Sequence, residues 1–89
     1  LIQYIYTSIL GVEMDGQRAY QASLYSAALC EKFGITGRVF ANHQRALAIT
    51  EGPEDTVTRY FESVSSDAMA ASVLLHSRRV IPAREFQDF

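Results

Sequence analysis

The chain has 89 residues, of which 48% are hydrophobic and 20% are charged, with five glycines and two prolines. This composition is typical of one compact globular domain and excludes a linker, a repeat array or a disordered tail. Eight basic and ten acidic residues give a net charge of −2. The charges are scattered and form no basic patch of the kind that binds nucleic acid or an anionic membrane, so we expect neither partner.

The start of the chain and its cysteine content suggest its setting. The sequence begins at Leu1, inside an apolar run, so we expect residues 1–89 to be one domain of a longer polypeptide. A lone Cys30 cannot form an internal disulfide, which favours an intracellular, cytoplasmic location. Neither Cys30 nor His43 and His76 has the spacing of a metal site, so no metal is expected.

The first third of the chain predicts a strand followed by a helix. The segment Leu1–Ser8 is rich in β-branched and aromatic residues and is apolar on both faces, as in a central strand. A helix is predicted from about Glu13 to Phe33, with Gly34 as its C-terminal cap. This helix has more apolar circumference than one sheet face covers, so we expect something else to cover the remainder.

A hairpin is predicted next, from Ile35–Asn42 and Arg45–Glu51, joined by a polar tip at residues 42–44. In its second strand small side chains point to one face, and Leu47 and Ile49 point to the other. Two bulky apolar residues on an outer face predict an interface with a protein partner, another segment of the same polypeptide or a second copy.

A second helix and a last strand complete the pattern. The helix begins at Pro53, runs to about Ser66 and buries one stripe of residues at helical spacing: Val57, Tyr60, Phe61 and Val64. The segment Ala71–Ser77 is the last strand, which residues 78–81 extend or pair with. The order β-α-β-β-α-β, with or without a short final strand, predicts an α+β, ferredoxin-like sandwich. Its two helices pack on one face of a mainly antiparallel sheet.

Four separated segments resemble the BLUF family, the blue-light sensor domains that use flavin. They are the strand end Tyr4-Ile5-Tyr6-Thr7-Ser8, the motifs Gly34-Ile35-Thr36-Gly37 and Glu51-Gly52-Pro53-Glu54, and the tail Ile81–Phe89. The likeness covers essentially the whole chain. It implies a ferredoxin-like sheet with FAD inserted between the two helices.

The resemblance also implies which residues surround the flavin. In the family a strand Tyr, a helix Asn and a strand Gln form a hydrogen-bond network around the ring, and light rearranges the Gln. These positions fall on Tyr6, Cys30 and Ala48, and Val64 and Asp67 match further positions of the flavin pocket. Ala48 has no polar side-chain atom, whereas a Gln amide both donates and accepts. Cys30 offers a weak thiol donor where an amide would hold a flavin carbonyl.

We therefore interpret the chain as a BLUF-like domain that has lost its flavin photochemistry and serves as a regulatory or assembly module in a larger protein. We expect no bound cofactor, and we expect Tyr and Leu side chains of the first helix to fill the flavin space. The alternatives are an FAD-binding blue-light photoreceptor and a site for a different planar metabolite. No enzymatic activity is expected, because no Ser, His or Asp lies in a recognisable catalytic context.

Overall fold

The computed structural model describes residues 1–14, 16–66 and 70–89, and the side chains of these residues except 10–14, 18, 19, 22, 23, 70 and 71. Three strands and two helices follow in the order β1 (Ile2–Met14), α1 (Gly16–Phe33), β2 (Thr36–Gly52), α2 (Glu54–Ser65) and β3 (Ala70–Val80). The strands form one antiparallel sheet in the order β2-β1-β3.

Both helices pack on the same face of the sheet, so the predicted α+β, ferredoxin-like fold is confirmed. The core cluster joins Cys30 of α1 and Val57 of α2 to Tyr4 and Tyr6 of β1. Tyr4 and Tyr6 lie two residues apart and therefore point to one face of β1, which we call the inner face. Neither helix, among the residues described, is long and apolar enough to cross a bilayer.

The first strand is longer than predicted. We expected it to end at Ser8 and the helix to begin near Glu13, but β1 continues to Met14 and α1 begins at Gly16. The reason is strand pairing, which resumes at Met14 opposite His43 after a register shift. An irregularity of this kind lets a strand continue through a residue such as Gly11 that would otherwise end it.

The two strands predicted for the hairpin form one continuous element, β2, that doubles back on itself. An extended segment of its 17 residues would span about 55 Å, whereas the longest dimension of the chain is 36 Å. His43, inside the predicted tip, has a positive φ of 54°. Near the base of the hairpin, a Cβ atom added at Gly37 would collide with the Ile49 carbonyl oxygen. The two limbs therefore lie side by side, and position 37 accepts only glycine.

After β3 the tail, residues 81–89, lies against one end of the sheet. The Ile81 amide donates to the Leu1 carbonyl (3.0 Å) and the Gly37 amide donates to the Asp88 carbonyl (2.9 Å). Arg38 pairs with the Asp88 carboxylate at 2.7 Å and lies over the ring of Phe86. These contacts hold the tail on the first limb of β2.

A wholly buried carboxylate, Glu51, joins the tail to the strands. One of its oxygens accepts from the Phe86 amide (2.6 Å) and the Thr36 hydroxyl (3.1 Å). The other accepts from the Gln3 amide at 3.2 Å. Because β1, β2 and the tail each supply a donor, this carboxylate is the point at which the three segments are held together.

We predict that Glu51→Ala lowers the free energy of unfolding by about 3 kcal/mol, because it leaves three donors without their acceptor. Urea denaturation measures this change. Glu62→Ala is the matched control, since Glu62 is an exposed residue of α2. Equal stability of the two variants would show that the Glu51 carboxylate does not hold the tail.

Candidate functional site

The inner face brings Tyr6 and Ala48 together, as the sequence predicts. They are direct partners in the register between β1 and β2, and both are buried. The Tyr6 ring meets Phe61 of α2 edge-on with centroids 5.0 Å apart. Ala48 therefore offers only a methyl group beside the Tyr6 phenol, and α2 covers the pair.

Cys30 lies in the last turn of α1, and its side chain is wholly buried. A hydrogen-bonding interaction with the Tyr60 hydroxyl, on α2, offsets part of the rise that burial causes in the pKa of the Cys30 thiol. An interaction with the Ser26 hydroxyl, one turn earlier on α1, likewise offsets part of the rise in the pKa of Tyr60. We call this set the Tyr60 bridge, because its two hydrogen bonds run from α2 to α1. It gives the Cys30 thiol a partner inside the protein.

Three acidic groups of this site, the Tyr6 and Tyr60 phenols and the Cys30 thiol, are held in their neutral forms at neutral pH. Burial is the main reason that the pKa values of Tyr6, Cys30 and Tyr60 lie above their ordinary ranges. For both tyrosines the nearby Cys30 raises the pKa further, because two anions would repel one another. These three groups are therefore weak donors and acceptors without charge at neutral pH, whereas the Arg78 guanidinium donates to the hydroxyl of Tyr4 at 2.9 Å.

One polar atom of the inner face is poorly satisfied. Thr50 is wholly buried, and its Oγ1 has no well-formed hydrogen bond among the side chains described, although its interaction with the Tyr6 phenol offsets part of the rise in the Tyr6 pKa. A buried hydroxyl without a partner costs stability unless a water or ligand satisfies it. Thr50 therefore marks the place on this face where a further polar group would be accepted.

The remaining predicted positions are less informative. Val64 is half-buried and packs against the core cluster of Tyr6, Cys30 and Ala48. Asp67 lies outside the described residues. No group of three or more His, Cys, Asp or Glu side chains that could hold a metal ion occurs in the part of the chain described.

The expectation that helix α1 fills the space between the helices is wrong. Tyr20 and Tyr25 are 65% and 71% exposed, and Leu24 is also exposed. Their bulk faces solvent because α1 approaches the sheet through smaller residues near its C-terminal end, such as Ser26 and Cys30. Tyr60, from α2, is partly buried and packs against the core cluster.

Tyr60, Ser26 and Thr50 are the site residues that the sequence analysis missed. Tyr60 was assigned only to the apolar stripe of α2. A signal was present, because a buried Tyr carries a hydroxyl that needs a partner. The partner could not be named, since Cys30 lies on another helix.

The outer face of the sheet carries a second candidate surface. A concavity of about 540 Å³ is lined by residues that include Ile9, Phe40, Leu47 and Leu74. We call it the outer groove. Leu47, predicted as an interface residue, lines it and is exposed; Ile49, predicted with it, is half-buried and outside the lining.

The comparison with known families decides what this arrangement is. A family model described as "BLUF: Sensors of blue-light using FAD" matches residues 1–89. The chain belongs to the BLUF family. A search of curated protein sequences gives no match.

Solved BLUF structures share the fold at low identity. BlrB in its dark state has a TM-score of 0.84 and 22% identity, over 99% of this chain and 67% of its own. A bacterial light-regulated adenylyl cyclase has a TM-score of 0.84 and 16% identity, over 97% of this chain and 25% of its own. Klebsiella pneumoniae BlrP1 has a TM-score of 0.85 and 21% identity, over 97% of this chain and 22% of its own. The chain thus spans about a quarter of the cyclase.

The residues present do not fit a flavin held by side-chain amides. Ala48 has no polar side-chain atom, and the Cys30 thiol already has the Tyr60 hydroxyl as its partner. Among the side chains described, Thr50 offers a buried polar atom without a well-formed hydrogen bond on this face. The BLUF scaffold is therefore present, while the amides of the family's hydrogen-bond network are absent from Cys30 and Ala48.

We predict that stability falls steeply above about pH 9. The ordinary pKa values are 9.0 for Cys and 10.0 for Tyr, and folding raises those of Cys30, Tyr6 and Tyr60. A raised pKa contributes stability that is complete below the unfolded value and is lost as the unfolded chain ionises at higher pH.

Urea denaturation between pH 7 and pH 11 measures this slope. Tyr60→Phe should reduce it by about 1.4 kcal/mol per pH unit above pH 10. The control variant Tyr20→Phe, at an exposed position of α1, should leave the slope unchanged. A slope that is the same in wild type and Tyr60→Phe would contradict the buried, protonated Tyr60.

Proposed function

We propose that this BLUF domain has lost the flavin photochemical network and acts as a regulatory or protein-interaction module of a larger protein. The observation that carries the proposal is the register of Tyr6 with Ala48. A light-driven rearrangement needs a side chain that can bond in two ways, and a methyl group bonds in none. The Tyr60 bridge supports the same conclusion, because it occupies the hydrogen-bonding capacity of Cys30.

The proposal includes no catalytic activity for residues 1–89 and a cytoplasmic location. Tyr6, Cys30 and Tyr60 are neutral at neutral pH, so none of them supplies a general base or an activated nucleophile. Two of the structures with the same fold are much longer chains, one of them an adenylyl cyclase. A domain without catalytic activity acts by binding other segments of its own polypeptide or a protein partner.

We propose that the outer groove is covered by an apolar segment of the same polypeptide from beyond residues 1–89. The exposed side chains of Leu47 and Leu74 would otherwise leave a contiguous apolar concavity in water. Arg45, at the edge of the groove, favours a segment that carries a carboxylate beside its apolar residues. The solved structures with longer chains support an occupant from the same polypeptide.

The alternative function is that of an FAD-binding blue-light photoreceptor. Membership of the family favours it, and so does the Thr50 hydroxyl beside Tyr6, which has no well-formed hydrogen bond. One related structure, BlrP1, contains FMN. In this alternative an apolar sandwich between the helices would hold the ring without the amide contacts.

A visible spectrum separates the two functions. We predict that the purified protein is colourless and stays colourless after incubation with FAD and desalting. Ala48→Gln is an informative variant, because it restores only the amide beside Tyr6. A flavin spectrum in the wild type that shifts under blue light would overturn the proposed function and establish the photoreceptor.

Hydroxyl-radical footprinting of the full polypeptide tests the outer groove. We predict that Leu74, 60% exposed in residues 1–89, is protected from labelling, whereas Val80, 77% exposed and outside the groove, is labelled. Leu47→Asp should restore labelling at Leu74, and the control Val80→Asp should not. Equal labelling of Leu74 and Val80 in the wild type would refute the occupant. Protection that depends on protein concentration would assign the groove to a second copy.

A further inference from the structure

We propose that one end of the sheet carries a recognition site for a peptide segment that presents an arginine, and that the tail, residues 81–89, is its exchangeable occupant. The site consists of three acceptors, one each from Gly34, Thr36 and Glu51, and Arg84 of the tail lies in it. We call these three acceptors the arginine slot. None of these residues lines the outer groove or belongs to the core cluster of the inner face.

The geometry of the slot matches a guanidinium. Nη1 of Arg84 donates to the Thr36 hydroxyl oxygen at 2.9 Å and to the Glu51 carbonyl oxygen at 3.3 Å. Nη2 donates to the Gly34 carbonyl oxygen at 2.9 Å. A guanidinium carries its donors in a fixed planar fork and can bond several separated acceptors at once, whereas a lysine ammonium is a compact point charge. The slot therefore selects arginine over lysine.

Contacts within residues 1–80 hold the acceptors of the slot in place. Gly34 follows α1 with a positive φ of 70°, and the amides of Gly34 and Ile35 donate to carbonyls of the last helical turn. The Gly34 carbonyl thus lies just beyond the negative end of the helix dipole, where a cation is stabilised. The Thr36 hydroxyl donates its proton to the Glu51 carboxylate at 3.1 Å, so its lone pairs remain for the guanidinium. The slot is preformed by the domain itself.

Further contacts recognise the residues that follow the arginine. The Phe86 amide, two positions later, donates to the buried Glu51 carboxylate at 2.6 Å, and the Phe86 ring lies under the Arg38 guanidinium. Asp88, two positions after that, accepts from the Gly37 amide through its carbonyl at 2.9 Å. Its carboxylate pairs with Arg38 at 2.7 Å. The partner that fits is a segment with an arginine, then an aromatic residue and then an aspartate, each two positions apart.

The tail is lightly held compared with the strands. Of its nine residues only Ile81 is buried, and only Phe86 and Phe89 are half-buried. The ion pair between Arg38 and Asp88 is exposed, with 42% and 77% of the two side chains accessible. A segment with few buried apolar contacts opens locally at a lower free energy than the whole domain. The tail therefore masks the slot from an effective concentration that is roughly millimolar, and a partner binds when the tail leaves.

A fluorescent peptide with the sequence of residues 81–89 tests the slot in the full 89-residue chain. Arg84→Ala removes the guanidinium of the attached tail, so this variant should bind the peptide in a saturable way, as measured by fluorescence anisotropy. The wild type should bind it at least tenfold more weakly, because its own tail fills the slot. Arg59→Ala, which removes an exposed arginine of α2, is the matched control and should behave as the wild type.

A second peptide identifies the recognised group. The peptide with Arg84→Lys should bind the Arg84→Ala chain at least tenfold more weakly than the native peptide, since an ammonium cannot match the three acceptors. Equal binding of the two peptides would overturn recognition of the guanidinium. Equal binding of the native peptide by the wild type and Arg84→Ala, or none by a folded Arg84→Ala chain, would overturn the proposal as a whole.

Amide hydrogen exchange in the wild type gives a test that needs no variant. The amides of Gly37 and Phe86, which join the tail to the domain, should exchange at least a hundredfold faster than the amide of Tyr4 in the central strand. Low concentrations of urea should not change their rates, as expected for a local detachment. Equal protection of the three amides would refute an exchangeable tail, because the tail would then open only when the whole domain unfolds.

Discussion

The hydrogen bonding of buried polar groups is the constraint on which the inner face depends. Tyr6, Cys30 and Tyr60 all place polar atoms among apolar side chains, and each such atom needs a partner from the protein, from water or from a ligand. The second limb of β2 could supply one from position 48, but Ala48 has none. The hydrogen-bond partner of Cys30 is therefore Tyr60 of α2, and this one residue links the two helices.

The same constraint explains why the BLUF scaffold is retained. The motif residues that carry the resemblance have structural roles: Gly37 lies against the Ile49 carbonyl, and Glu51 accepts hydrogen bonds from three segments. Replacing either would disrupt long-range contacts. The fold thus persists at 16–22% identity to its structural neighbours.

The sequence was sufficient for the fold class but not for the contacts of the site. Residue periodicity predicted the order of elements and the buried stripe of α2, because burial follows from local spacing. It could not identify the partner of Tyr60, which lies on another helix, or those of Glu51, whose donors include Phe86 in the tail. It also misjudged α1, since counting apolar residues does not show which side of a helix approaches the sheet.

A consequence for regulation follows from the geometry of β2. Leu47 and Ala48 are adjacent residues of β2, and successive side chains of a strand point to opposite faces of the sheet. Leu47 therefore lines the outer groove, while Ala48 lies beside Tyr6. A displacement of this limb changes both faces together. In a flavin-dependent sensor the cause of such a displacement lies on the inner face. Under the proposed function, which includes no flavin, the cause lies on the outer face. The occupant of the groove would then set the state of the domain through Leu47.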